Sequence, residues 1–393
     1  NISKNCEIRK SVICNHVYVD ERCRIFEGVT VGSFSKIFQD ATIKPNVKIW
    51  PYKTIGKNIT LKENLIWMEK ATRKLFGSRN ILGRFNIDIT PEIAAGIGTA
   101  FATVIQNKGT FIVSSDEYNL SKSVKNSIIS GILSTGALVI DIKNSTIPMC
   151  RFGVKHFKGS GGIHISTDSN YEDMIYIEFF NGEGANIDKN TQRKIENCFS
   201  IEDFKRCSGE EIKDVVNIYN FASIYLKEGK EQLENINKIR KTKPKIIIAS
   251  QSKNISTLAE NYLKDIGCQV NIVPYNKDLG IKDIQNFVLE EDGLLGILYS
   301  ENGEKIILTD GFTIIQDEKY YLLSLLIGFK SGEIHEAIIP YNFPRIMEEL
   351  AKAYNGIALY SKSNIEDIIQ TIVNKKIDFQ YILNFDSIWA TGK

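Results

Sequence analysis

The residues of this 393-residue chain best placed to do chemistry are Asp168, Ser169 and Asn170, a carboxylate, a hydroxyl and an amide in succession. The residues around them supply a mount. Gly161 and Gly162 permit a tight backbone approach, Ile163 to Ser166 reads as a short buried strand, and Met174 to Phe180 as a second β-rich run leading to Gly182 and Gly184. Thr167 to Asp173 between them is polar and turn-prone. A polar tip carried by two strands is a common seat for reactive groups. The bland alternative is a surface hairpin with no activity.

The stretch resembles the active-site loop of the α-D-phosphohexomutase superfamily, the phosphomannomutases and phosphoglucomutases, whose motif runs G-G-I-x-I-T-A-S-H-N-P and later G-I-K-F-F. The framework matches at Gly161, Gly162, Ile163, Ile165, Asn170, Ile177, Phe179, Phe180 and Gly184. The resemblance puts Asp168 at the family's phosphoserine, Ser169 at its histidine and Tyr171 at its proline. Further upstream, LFGSRNILGRFN is similar to L-F-G-T-D/S-G-I-R-G, with Leu75, Phe76, Gly77, Ile81 and Gly83 kept and Leu82 where the family has arginine. TFIVSSDEYNLS is similar to the V-G-R-D strand and loop; Asp116 is kept and Ser115 replaces the arginine.

The family's metal loop, G-I-A-F-D-G-D-A-D-R, resembles GILYSENGEK, Gly296 to Lys305. On that match Ser300, Asn302 and Glu304 stand at the three magnesium-binding aspartates and Lys305 at the arginine. Magnesium prefers charged oxygens in near-octahedral array. Replacing three carboxylates by a hydroxyl, an amide and one longer carboxylate leaves the loop two formal charges short, so no metal cofactor is expected here although the active family uses magnesium. Asp168 could form an acyl phosphate, but only with a metal that this loop is poorly equipped to hold.

Composition sets outer limits. With 43% hydrophobic residues the chain can build ordinary cores, and 393 residues suggest two to four domains. A net charge of +2 gives no global electrostatic case for nucleic acid or an anionic membrane. The basic run Lys238 to Lys245 reads as a solvated linker. No apolar run approaches the ~20 residues of a membrane span. Seven scattered cysteines without C-x-x-C spacing suit a reducing cytoplasm, and four dispersed histidines suggest no metal site.

The strongest pattern lies at the start. Aliphatic residues recur every six positions, at Ile13, Val19, Ile25, Val31, Ile37, Ile43, Ile49, Ile55 and Leu61, with small or branched residues two before them, such as Cys23, Ser35 and Ala41, expected at tight corners. This period marks short strands stacked into a solenoid and resembles the left-handed β-helix of hexapeptide-repeat proteins. Such helices occur in acyltransferases and on sugar-1-phosphate nucleotidyltransferases. His16 is the only histidine in this segment, which leaves little for acyl transfer.

Trp67 to Arg73 reads as a helical connector. Thr90-Pro91-Glu92 starts a helix running to Ile105, followed by a strand at TFIVSS, a helix from Val124 to Leu133, the strand LVIDI and a helix from Pro148 to Phe157. A second unit has strands KIIIAS, QVNIV, LLGILYS and KIILTD, with helices near Ser256 to Asp265 and Glu318 to Phe329. A third has strands HEAIIP and GIALYS, helices at Pro344 to Tyr354 and Asn364 to Asn374, and a final helix from Ile388.

The expected architecture is therefore α/β: a β-helix over residues 1–66, then three-layer phosphohexomutase-like domains at 67–199, 200–330 and an incomplete 331–393, with the family's fourth domain absent. Only KKIDFQYILNFD follows Asn374 where the third domain's sugar loop would be, so that loop is read as deleted. The abrupt start before the repeat suggests a fragment whose parent carries an upstream nucleotidyltransferase domain.

Two functions follow. One is a cytoplasmic, mutase-derived module without mutase chemistry, self-associating through its β-helix and sensing a phosphosugar. The other is a working phosphosugar mutase with altered catalytic residues. Loss at the nucleophile, metal loop, first arginine and sugar loop together favours the first.

Overall fold

The computed structural model describes residues 1–65, 70–71, 75–77, 80–168, 171, 173–231, 233, 236–273, 280–332, 334–362, 380–384 and 387–391. Two compact units emerge: residues 1–140, 165–179 and 190–216 in the first, and 141–164, 180–189 and 217–393 in the second.

In the first unit, the six-residue period becomes a series of two-residue strands, from Val12–Ile13 to Thr60–Leu61. They form three parallel sheets in which each strand pairs three repeats on, Thr30–Val31 with Lys48–Ile49 and Lys36–Ile37 with Thr54–Ile55. The arrangement is β-helix-like. One residue per strand faces inward, and Val19, Ile25, Val31, Ile37, Ile43, Ile49 and Ile55 are all buried.

The corners differ from expectation. The chain turns on one residue per repeat held at positive φ, including His16 (58°), Arg22 (57°), Phe34 (61°), Asp40 (59°), Asn46 (64°), Tyr52 (62°) and Asn58 (57°). For residues other than glycine this conformation costs roughly 1–2 kcal/mol. Hydrogen bonds to the preceding coil offset it, as Phe34 N–H donates to Asn15 (3.0 Å) and Tyr52 N–H to Ser33 (2.9 Å). Cys23, Ser35 and Ala41 are not the corners; they follow them and fill the interior, each fully buried.

The connector expected to be helical includes Lys70–Ala71, which is a strand in register with Thr54–Ile55. The rest of that connector lies outside the described residues, as does the helix expected at Asn364 to Asn374.

A six-stranded sheet follows, in the order β1-β5-β4-β2-β3-β6. The strands are β1 (Ile81–Arg84), β2 (Thr110–Ser115), β3 (Leu138–Asn144), β4 (Gly161–Thr167), β5 (Met174–Asn181) and β6 (Val216–Asn217). The helices are α1 (Pro91–Ile105), α2 (Asn119–Leu133), α3 (Ile147–His156) and α4 (Lys189–Ile201). Helix α1 begins as its sequence demands: Thr90 Oγ1 accepts from Ile93 N–H, with Pro91 in the first turn. Helices α1 and α2 approach so closely that a Cβ on Gly131 would sit 1.9 Å from Ala95 O, and one on Gly98 2.4 Å from Ile128 O. Against them, Phe101 packs on Phe111 and Phe179 at centroid distances of 5.4 and 5.2 Å.

In the second unit, α5 (Phe221–Glu231) and α6 (Ile236–Thr242) precede β7 (Lys245–Ser250). The basic run is thus a helix ending close to a strand rather than a linker, and Lys245 pairs with Glu291 at 2.9 Å. Next come α7 (Lys253–Ile266), β8 (Gln269–Ile272), α8 (Ile281–Glu290), β9 (Leu295–Tyr299), β10 (Ile306–Thr309) and β11 (Ile314–Ile315). The sheet order is β8-β7-β9-β10-β11, parallel around β7 and antiparallel from β9 to β10. The near-continuous apolar run of β7 suits a strand covered on both faces.

After α9 (Asp317–Ser331), β12 (Glu336–Pro340) pairs in parallel with β13 (Ile357–Ser361) and β14 (Gln380–Asn384); α10 (Ile346–Ala353) joins β12 to β13. The expected terminal helix is a strand, β15 (Ser387–Thr391), antiparallel to β14. SIWAT is a short apolar run with a branched and an aromatic residue at its centre, a composition that suits a strand.

Candidate functional site

The site residues fall into two clusters. In the first unit, β4 ends at Thr167 and hands the chain to Asp168. Asp168 N–H donates to Met174 O (3.1 Å), and its carboxylate accepts from the Tyr176 hydroxyl (2.9 Å). Asp116, at the end of β2, holds the base of this loop: its Oδ2 accepts from Thr167 N–H (2.6 Å) and its Oδ1 from Tyr118 N–H (3.1 Å). Ser121 and Thr167 hydroxyls meet at 2.7 Å beneath it. Burial raises the Asp116 carboxyl to about 6, against the pull of its hydrogen bonds from Thr167, Ser121 and Tyr118. Ser169 and Asn170 lie outside the described residues. Leu82 is exposed on β1, a side chain that can offer no charge to a phosphate.

The second cluster is the β9–β10 turn. Ser300, Asn302, Glu304 and Lys305 come together, because Gly303 at φ +76° closes the turn and Ser300 N–H donates to Lys305 O at 2.9 Å. Their polar groups spend themselves on one another. Ser300 Oγ donates to Asn302 Oδ1 (2.8 Å) and accepts from Lys305 N–H (2.9 Å), while Asn302 Nδ2 donates to Glu304 Oε2 (3.1 Å). Glu304 Oε1 accepts from Arg151 Nη2 at 3.0 Å, with side-chain exposures of 4% and 6% that make this a buried ion pair. Arg151 also donates to Gly184 O (3.1 Å) and lies over the Phe180 ring at 4.4 Å.

These donors do not fit magnesium. A hydroxyl, an amide and a single carboxylate fall short of the charge it needs, and both oxygens of that carboxylate are engaged by Asn302 and Arg151. The guanidinium supplies the positive charge that Glu304 requires. The sequence reading missed Arg151, although a signal existed: Ile147, Arg151 and Val154 share one face of α3, setting a cation in an otherwise buried stripe.

Residues 73–206 match the family model for phosphoglucomutase/phosphomannomutase, alpha/beta/alpha domain I. The chain is phosphohexomutase-like. It is 28% identical to a phosphoglucomutase/phosphomannomutase of Thermococcus kodakarensis over 229 residues, 57% of this chain and 50% of that protein. To a phosphoglucosamine mutase of Prochlorococcus marinus it is 24% identical over 261 residues, 64% of this chain and 57% of that one. The chain thus spans about half the length of these relatives.

Solved structures extend the likeness of fold. A phosphoglucomutase/phosphomannomutase family protein of Burkholderia thailandensis superposes with a TM-score of 0.69 at 15% identity, over 81% of this chain and 72% of that one. Parafusin, a phosphoglucomutase from Paramecium in its open form, gives 0.61 at 11% identity, over 82% and 67%. Among the described residues no helix is long and apolar enough to cross a membrane.

Proposed function

We propose that this phosphohexomutase-like chain is a non-catalytic module, keeping the mutase fold for phosphosugar sensing and for assembly through its N-terminal repeat. The observation that carries the reading is the Ser300–Asn302–Glu304–Arg151 chain, an internal guanidinium facing Glu304, the one carboxylate at the three aligned metal positions. Phosphoryl transfer in this family needs a metal to neutralise charge, and Asp168 at the nucleophile position begins without a phosphate to give. Asp116 retains its grip on the nucleophile loop, which suits a loop still shaped to face a ligand. The hexapeptide repeat, similar to that of sugar-1-phosphate nucleotidyltransferases, supports a parent protein acting on nucleotide sugars.

The test is interconversion of glucose or mannose 1- and 6-phosphates with magnesium and a bisphosphate activator. No turnover is expected from the chain or from Asp168→Ser. Turnover in the ordinary enzyme range of ~1–10³ per second overturns the reading in favour of a working mutase with altered residues. Assembly is tested separately by light scattering with and without residues 1–66. An unchanged oligomeric state after the deletion places association elsewhere.

A further inference from the structure

Within the second unit, α3, α5, α7 and the end of β9 line a half-open cavity of about 440 Å³. That is the size of a small-molecule site. Four aromatic side chains line it, Phe152, Tyr225, Tyr262 and Tyr299, together with leucines from α5 and α7. Among the described residues, Glu228 is its one charged lining residue, and no lysine, arginine or histidine contributes to the wall.

The rings are fixed in place. Phe152 meets Tyr225 edge-on at a centroid distance of 5.4 Å, and the Tyr262 hydroxyl donates to Gly229 O on α5 at 3.1 Å. Burial raises all three phenols, Tyr299 to about 12, so they are neutral at physiological pH and leave Glu228 as the source of charge. The amino end of α3 also reaches the cavity at Thr146 and Pro148. Its pull on an anion is small: Pro148 has no N–H to offer, and a helix end contributes only ~0.3–1 kcal/mol. A phosphosugar, which calls for arginine or lysine, has no counter-charge here.

We propose that this cavity binds an organic cation, an ammonium group on an apolar or aromatic body. Aromatic faces attract a cation through their quadrupoles, Glu228 neutralises it, and Leu226 and Leu258 cover the body. The site is independent of the mutase reading, and either can fail without the other.

The experiment is calorimetric titration of the whole chain with benzyltrimethylammonium, benzyl alcohol and phenyl phosphate. The cation should bind about tenfold more tightly than either of the others, the ratio a cation–π and charge contribution of this kind provides. Glu228→Gln should weaken the cation and leave benzyl alcohol unchanged. Leu258→Trp, which intrudes on the cavity beside the rings, should weaken binding while circular dichroism confirms the fold. Equal binding of the alcohol, preference for the phosphate, no binding of the cation, or unchanged binding in Leu258→Trp each overturns the proposal. If Leu258→Trp does not fold, Tyr225→Leu replaces it: undiminished binding of the cation then counts against the site.

Discussion

The loop that carries Asp168 and the β9–β10 turn both resemble mutase motifs in their sequence framework, and their polar side chains are arranged in opposite ways. At the first, the support remains: Asp116 still receives two backbone N–H groups and fixes the strand that delivers Asp168. At the second, the support has become the occupant, since Arg151 reaches in to pair with Glu304. A glycine turn or a strand register is dictated by sterics and survives any change of chemistry. A cluster of carboxylates is held together only by the cation it binds. Once the carboxylates are reduced to one, a protein side chain can serve.

The largest effect should come from breaking the second region. Arg151→Ala or Glu304→Ala strands a buried charge and should cost ~3–5 kcal/mol in urea unfolding. The double substitution Arg151→Met with Glu304→Gln should recover most of that loss. If the single variants are near neutral, the pair is not the organising contact of this turn.

The first region should respond to pH instead. The Asp116 carboxyl is raised from 3.8 to about 6, so the fold favours its neutral form. The stability this lends is complete below about pH 3.8 and is lost as pH rises through about 6. Compared with Asp116→Asn, the wild type should therefore lose relative stability of order 1–3 kcal/mol across that interval. Parallel stability–pH curves for the two proteins would show that Asp116 is not coupled to folding.

A smaller effect is expected at the tip. Removing the Tyr176 hydroxyl with Tyr176→Phe, or the charge with Asp168→Asn, should cost no more than ~1 kcal/mol, because Asp168 is partly exposed. A cost of several kcal/mol in thermal melts would make the tip a structural keystone and not a ligand-facing loop.

Much of this contrast was legible in sequence. The repeat announced itself because one inward residue per short strand imposes a period that no helix shares, and Thr90-Pro91 announced α1 because both cap chemistry and fixed φ act locally. Helix α5 was missed because its apolar residues, Phe221, Ile224, Tyr225 and Leu226, are confined to its first half, and only Phe221 is fully buried. Helix α8 carried a readable signal in Ile284 and Val288, four residues apart and buried. The terminal strand owes its identity to pairing with β14, a non-local partner invisible to local propensity. The resemblance located Ser300, Asn302 and Glu304 but said nothing of Arg151, whose role depends on a contact 153 residues away in sequence.

The central claim is that the guanidinium of Arg151 stands in for a metal at this turn. Titration of the chain with manganese, followed by water-proton relaxation, tests it without any assay of activity. The account predicts no saturable site, and none in Glu304→Gln. One equivalent of manganese bound with sub-millimolar affinity, and lost in Glu304→Gln, would contradict it.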